Sequence, residues 1–145
     1  RAESLRQLEQ EVGVLIRRIK RVIVERSHLV HPDLQPASYL MLSYLAEHGP
    51  LRASSMAETF SIDKGAISRQ VQHLVDLGLV ERLPDPADGR AHLVNATDEA
   101  VRRMTDVAAH RRKWLDEQLG DWSDEQLAAF AADLGHYNQA LNQPG

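Results

Sequence analysis

Residues 61–97, SIDKGAISRQVQHLVDLGLVERLPDPADGRAHLVNAT, decide the fold. They read as a helix, a glycine stop, a short strand, a charged turn and a return strand. Asp63 stands where an N-cap is needed, because its carboxylate can accept the free amides of the first helical turn. Ala66, Ile67, Val71, Leu74 and Val75 recur at helical spacing and predict one buried face. The other face carries Lys64, Gly65, Ser68, Arg69, Gln72 and His73. Its small residues let the helix approach another polymer closely. Arg suits guanine, Gln suits adenine, and Ser suits either. Gly78 falls where a left-handed C-cap is expected. Leu79–Leu83 alternates like a strand, and Pro84–Arg90 reads as a turn that cannot continue it. His92-Leu93-Val94 returns, and Thr97 can cap a further helix. The expectation is a DNA-reading helix followed by a wing. A winged helix used only for protein contacts is the competing use of the same fold.

At this point the residues carry a resemblance. LVDLGLVERLPDPADGRAHLVNAT, residues 74–97, resembles the recognition-helix end and wing of the MarR family, the multiple antibiotic resistance type regulators. The D-x-R wing tip of that family is matched by Asp88-Gly89-Arg90. Upstream, LQPASYLMLSYLAEHGPLRASSMAETFSIDKGAISRQVQHL, residues 34–74, is similar to the second helix and helix-turn-helix of the family. Three positions depart from the pattern: the return strand ends Ala96-Thr97, Ala100 stands where Gly is frequent, and Arg52 replaces a common Ser or Thr helix cap.

The resemblance implies a mainly α (α+β) fold, a winged helix-turn-helix with long N- and C-terminal dimerisation helices. It implies one domain over residues 1–145, with 36–97 as the DNA-binding part and 1–35 and 98–145 as dimerisation helices. The expected function is a homodimeric, double-stranded-DNA-binding transcriptional regulator, more specifically a repressor. Ser68, Arg69, Gln72 and His73 would meet bases or phosphates in a major groove, with Gly65 allowing close approach and Lys64 on a phosphate. Arg90 would enter the adjacent minor groove, and Asp88 would aim it through an ion pair. Two-fold symmetry implies a pseudo-palindromic operator with half-sites about one helical turn apart. The family commonly binds a small aromatic or phenolic effector between the dimer helices and the reading part. By position His28, Tyr39 and Ser43 would line such a pocket, although the same residues also fit ordinary core and loop sites.

Both ends of the chain carry seams. Leu5, Leu8, Val12, Leu15, Ile19 and Val22 step by three and four along a helix expected from Ser4 to about His28. Arg17, Arg18, Lys20, Arg21 and Arg26 follow on it, as a solvated face or as an attraction for flanking DNA phosphate. Pro36 suits the first turn of helix two, whose inner face is expected to hold Leu40, Met41, Tyr44 and Leu45 before Gly49-Pro50 ends it. Leu51-Arg52 can add a small strand to the wing, and Ala53–Phe60 is the first helix of the helix-turn-helix. Val101, Met104, Ala108, Arg111 and Leu115 share a face of a helix from Thr97 to about Leu119. After Gly120, Ser123-Asp124-Glu125-Gln126 is a capping box, with Trp122 and Leu127 at the staple positions. Leu127, Phe130, Leu134, Tyr137 and Leu141 again step three, four, three, four. Two seams are most economically explained by one two-fold interface; helices packed on each other in a monomer are the alternative. Residues 142–145 are expected to fray.

Composition narrows the remaining classes. At 43% hydrophobic and 26% charged, the 145 residues suit an ordinary globular chain. No apolar run approaches membrane-spanning length, no secretory signal is expected before the first helix, and a cytoplasmic protein follows. The start at Arg1 rather than Met suggests that a few native residues precede it. The absence of cysteine removes disulfides and thiol switches. No phosphate loop, nucleophile elbow or triad spacing is present, so no enzyme and no cofactor is expected. Glu25, His28 and His31 lie three apart, and elsewhere His48 and His110 could approach in space, but scattered histidines are the plainer reading and no metal is expected. The net charge of −4 favours few phosphate contacts per subunit. It also keeps open a metal- or ligand-responsive sensor that acts through protein contacts.

Overall fold

A computed structural model describes residues 1–142; of the tail expected to fray, 143–145 lie outside the described residues. The elements are α1 (Ala2–Val30), α2 (Pro36–His48), β1 (Leu51–Arg52), α3 (Ala53–Phe60), α4 (Lys64–Asp76), β2 (Val80–Asp85), β3 (Asp88–Ala96), α5 (Asp98–Gln118) and α6 (Asp124–Leu141). This is the mainly helical winged helix-turn-helix expected from the sequence. The chain forms two compact units, residues 1–108 and residues from 109 onward.

The first unit holds the core. Met41, Leu42 and Leu45 of α2, Met56 of α3, and Ile67, Val71 and Leu74 of α4 meet Leu79, Val80, Val94 and Ala96 of the wing base. Val30 closes one side from the end of α1, and Ala100 another from the start of α5. Arg103 ties those two helices together. It pairs with Glu99 at 2.7 Å and donates to the Val30 carbonyl at 3.1 Å, satisfying a helix-end acceptor.

The sheet order is β1-β3-β2, all antiparallel, with Leu51 opposite Val94 and Val80 opposite Ala96. Pro36 occupies the first turn of α2, and Gly49 ends that helix at a φ of 80°. Two helix faces differ from expectation. Leu40 is exposed, and Leu42 takes its place in the core, because the buried row of α2 is Ser38, Met41, Leu42 and Leu45 at three-and-four spacing. On α5 the inward row within this unit is Ala100, Met104 and Val107, which leaves Val101 exposed. The wing also runs further than expected. Pro84 and Asp85 belong to β2, and only Pro86-Ala87 form the tip. β2 is an edge strand, where a residue without N–H is tolerated, and the register shifts between Pro84 and Asp85.

In the second unit, Ser123 opens α6 with the capping box expected from the sequence. Its hydroxyl accepts the Gln126 amide at 3.2 Å, and the Gln126 side chain accepts the Ser123 amide at 2.9 Å. Trp122 packs edge-on against Phe130, with ring centres 5.8 Å apart.

Candidate nucleic-acid interface

The reading helix is held at both ends. α3 closes on Ser61, in left-handed backbone at a φ of 52°, and the Ile62 amide returns to the Ala57 carbonyl at 3.1 Å. The chain then turns into α4, where the Asp63 carboxylate accepts the Ala66 amide at 2.9 Å. At the far end Gly78 adopts a φ of 74°. The Leu79 amide reaches the Leu74 carbonyl and the Gly78 amide reaches that of Val75, both at 3.0 Å. This is the Schellman closure, and its left-handed residue favours glycine. Thr97 then joins two helices. Its hydroxyl donates to the Gly78 carbonyl at 3.0 Å and accepts the Ala100 amide at 3.2 Å, so one side chain locks the end of α4 and starts α5.

With Ile67, Val71 and Leu74 buried, Gly65, Arg69, Gln72 and Asp76 form the outward stripe of α4, with Lys64 and Ser68 beside it; all six are exposed. A Cβ on Gly65 would lie 3.5 Å from Arg69 Nη1 and 3.2 Å from Asp63 Oδ1. The Arg69 guanidinium thus lies back along the helix over the space that glycine leaves. His73 departs from the expected face. It is half-buried, and its Nε2 is enclosed without a partner among the described residues, as is Oε1 of Gln70 three residues earlier. Both sit on the flank of α4 between stripe and core.

The wing is built on carboxylates that accept backbone amides two residues on. Asp85 Oδ1 accepts the Ala87 amide at 2.9 Å, and Asp88 Oδ1 accepts the Arg90 amide at 3.0 Å. Asp88 therefore shapes the tip through the backbone of Arg90. The expected ion pair between their side chains is absent among the described residues. Arg52 explains its own departure from a helix cap. It gives α3 no side-chain cap, and its Nε and Nη2 both reach Asp85 Oδ2 at 2.6 Å, across 33 residues of sequence. Sequence reasoning missed this pair, and its only signal was the arginine in a cap position. Arg82 was missed in the same way as a partner of Gln72, to which it donates at 3.1 Å.

Of the carboxylates of the wing, Asp85 is neutralised by Arg52, while Glu81 keeps its charge and accepts from the neutral Asn95 amide at 3.1 Å. Lys64, Arg69, Arg82 and Arg90 are in no ion pair among the described residues. The Ala87 amide, then the Arg52 guanidinium, hold the Asp85 carboxyl below its ordinary value of 3.8. A depressed carboxyl contributes stability above its unfolded value and loses it as pH falls through the folded one. Urea midpoints between pH 7 and pH 3 should therefore fall further for the wild type than for Asp85→Asn. Equal losses in the two proteins would remove this role.

Of the residues placed near an effector, His28 is exposed on α1, Tyr39 is buried in the core of α2, and Ser43 is half-buried one turn after Tyr39. Among the described residues no three His, Asp or Glu side chains gather as metal ligands. His31 Nδ1 instead accepts the Asp33 amide at 3.0 Å. No helix among the described residues is long and apolar enough to cross a membrane.

Comparison with known proteins agrees with this geometry. The MarR family sequence model matches residues 33–91. The HTH-type transcriptional regulator YxaD of Bacillus subtilis is 32% identical over 134 residues, covering 92% of each chain. The HTH-type transcriptional repressor MdtR of the same organism is 26% identical over 96 residues, 66% of this chain and 62% of that one. The fold is shared with a MarR family protein from Bacillus stearothermophilus, at a TM-score of 0.74 and 20% identity over 94% of this chain and 97% of the other. Reading helix, wing and sequence agree: the chain belongs to the MarR family and is a DNA-binding, winged helix-turn-helix transcriptional regulator, not an enzyme.

Proposed function

We propose that the chain acts in the cytoplasm as a homodimeric repressor that reads a pseudo-palindromic double-stranded operator and is released by a small aromatic effector. The observation that carries the DNA reading is the outward stripe of α4, capped at both ends, with arginines on it and on the wing that enter no ion pair among the described residues. In this reading Arg69, Ser68 and Gln72 meet base edges, Lys64 a phosphate, and Gly65 gives the close approach. Arg90 enters a narrow minor groove from a tip shaped by Asp88. His73, with its ring nitrogen enclosed, is given no base. The whole chain serves as one functional domain, with residues 36–97 reading and 1–35 and 98–145 dimerising. Repression is supported by the similarity to MdtR. The effector rests on the family resemblance, with His28, Tyr39 and Ser43 as its candidate contacts.

The test is selection of bound sequences from random duplex DNA, followed by anisotropy across a salt series. An enriched palindrome whose affinity falls with salt is expected. A folded dimer that enriches nothing at low salt would favour a sensor acting through protein contacts. Displacement of the operator by a screened phenolic compound would establish release.

A further inference from the structure

Gln72 is not free on the reading stripe. Its Oε1 accepts from Arg82 Nη2 of β2 at 3.1 Å, and its Nε2 donates to Asp76 Oδ1 at 2.8 Å. The three side chains are exposed and link the wing to the reading helix. Exposed hydrogen bonds of this kind add little to stability, because water competes for each group. Their consequence is orientation. A glutamine amide can flip and exchange its oxygen for its nitrogen at either position. A guanidinium has only donors, so Arg82 selects the oxygen. A carboxylate has only acceptors, so Asp76 selects the nitrogen. The two partners together leave one flip. In that flip Oε1 keeps one lone pair and Nε2 keeps one N–H, in a fixed order along the stripe. Two-point recognition of adenine needs one acceptor and one donor in a set order.

We infer that Arg82 and Asp76 are positioning residues that set the base preference of Gln72 without reading that base themselves. The inference rests on the proposal that α4 reads DNA. It is tested by selection profiles of the full chain as wild type, Gln72→Ala, Arg82→Ala, the double variant and Asp76→Asn. A good two-point contact discriminates roughly 5- to 150-fold. Gln72→Ala should flatten one base position in each half-site. Arg82→Ala should flatten the same position, and the double variant should be no flatter there than Gln72→Ala. Asp76→Asn, whose amide can face either way, should flatten that position in part and leave the fold unchanged. An Arg82→Ala profile identical to wild type, with uniformly weaker binding and a salt slope reduced by about one per subunit, would make Arg82 a phosphate contact and overturn the inference. Loss at a different position would make it a base reader, with the same result. Wild type enriching no sequence would overturn the DNA-reading proposal itself, and this inference with it. A wild-type palindrome with independent Gln72 and Arg82 effects would overturn only the inference.

Discussion

Arg69→Ala should lower operator affinity by about 2–6 kcal/mol, since the proposed two-point arginine contact is worth roughly 1–3 kcal/mol and the proposed two-fold dimer would lose it twice. That corresponds to about 30-fold to 20,000-fold in Kd. The size follows from position. Arg69 lies between Gly65 and Gln72 on the outward stripe, and no acid pairs with it among the described residues. The missing side chain at Gly65 leaves room for its guanidinium. Folding stability should change by less than about 0.5 kcal/mol, as for other exposed substitutions away from caps and core. Arg69→Lys separates the two components. It keeps the charge and so the salt slope, and it loses the planar fork and so the discrimination. Anisotropy on the selected operator at fixed salt measures both variants. If the alanine variant bound within about twofold of wild type, a contact of this kind at Arg69 would be excluded. Arg90→Ala should be milder in base preference and confined to the flanking minor-groove positions, because it reads width rather than base edges.

The contrast between Arg69 and Gln72 shows what the sequence made legible. Local devices were readable, since their partners lie within about one and a half helical turns. The Asp63 cap, the Gly78 closure, the capping box at Ser123 and the buried row of α4 all follow from short-range spacing. Thr97 was readable as a cap for α5, but its bond to Gly78, 19 residues back, was not. The same limit hid Arg52 with Asp85, brought near from the two strands that flank β3, and Arg82 with Gln72, brought near where β2 packs beside α4. Pro84 was misread because a proline excludes a central strand and not an edge one, and edge position is a property of the sheet. His73 differs from its expected place on the open face by a smaller margin. One helical step is about 100°, so the residue after Gln72 turns from the stripe to its flank. Leu40 and Leu42 show the limit for an apolar helix, where nearly every position is a plausible core residue until the neighbouring elements are placed.

Leu8→Glu should convert the proposed dimer to monomer and abolish tight operator binding. Leu5, Leu8 and Leu15 are 48%, 43% and 40% exposed along α1, and Phe130 and Leu134 are 54% and 38% exposed on α6. Val12, Leu127 and Tyr137 are half-buried on the same seams. These side chains repeat at the spacing of a helical seam, and the single chain leaves them partly exposed. Fully burying one leucine is worth about 1.5–3 kcal/mol; covering the 43% of Leu8 still exposed is worth about 0.6–1.3 kcal/mol, counted twice by two-fold symmetry. The substitution also asks each interface to bury a carboxylate, which costs more than the lost leucine contacts return. Together these should weaken dimerisation by at least 100-fold, on the order of 3 kcal/mol or more. The core of residues 1–108 should survive, because Leu8 is not part of it and the far end of α1 is held by Val30 and Arg103. Circular dichroism should therefore change little while sedimentation reports half the mass. Operator affinity should collapse further than for Arg69→Ala, since each half-site would then bind alone. Leu134→Glu gives the same test from the other seam. A Leu8→Glu protein that stayed dimeric would exclude the α1 seam from the interface, and a monomer that kept full operator affinity would show that reading needs only one subunit.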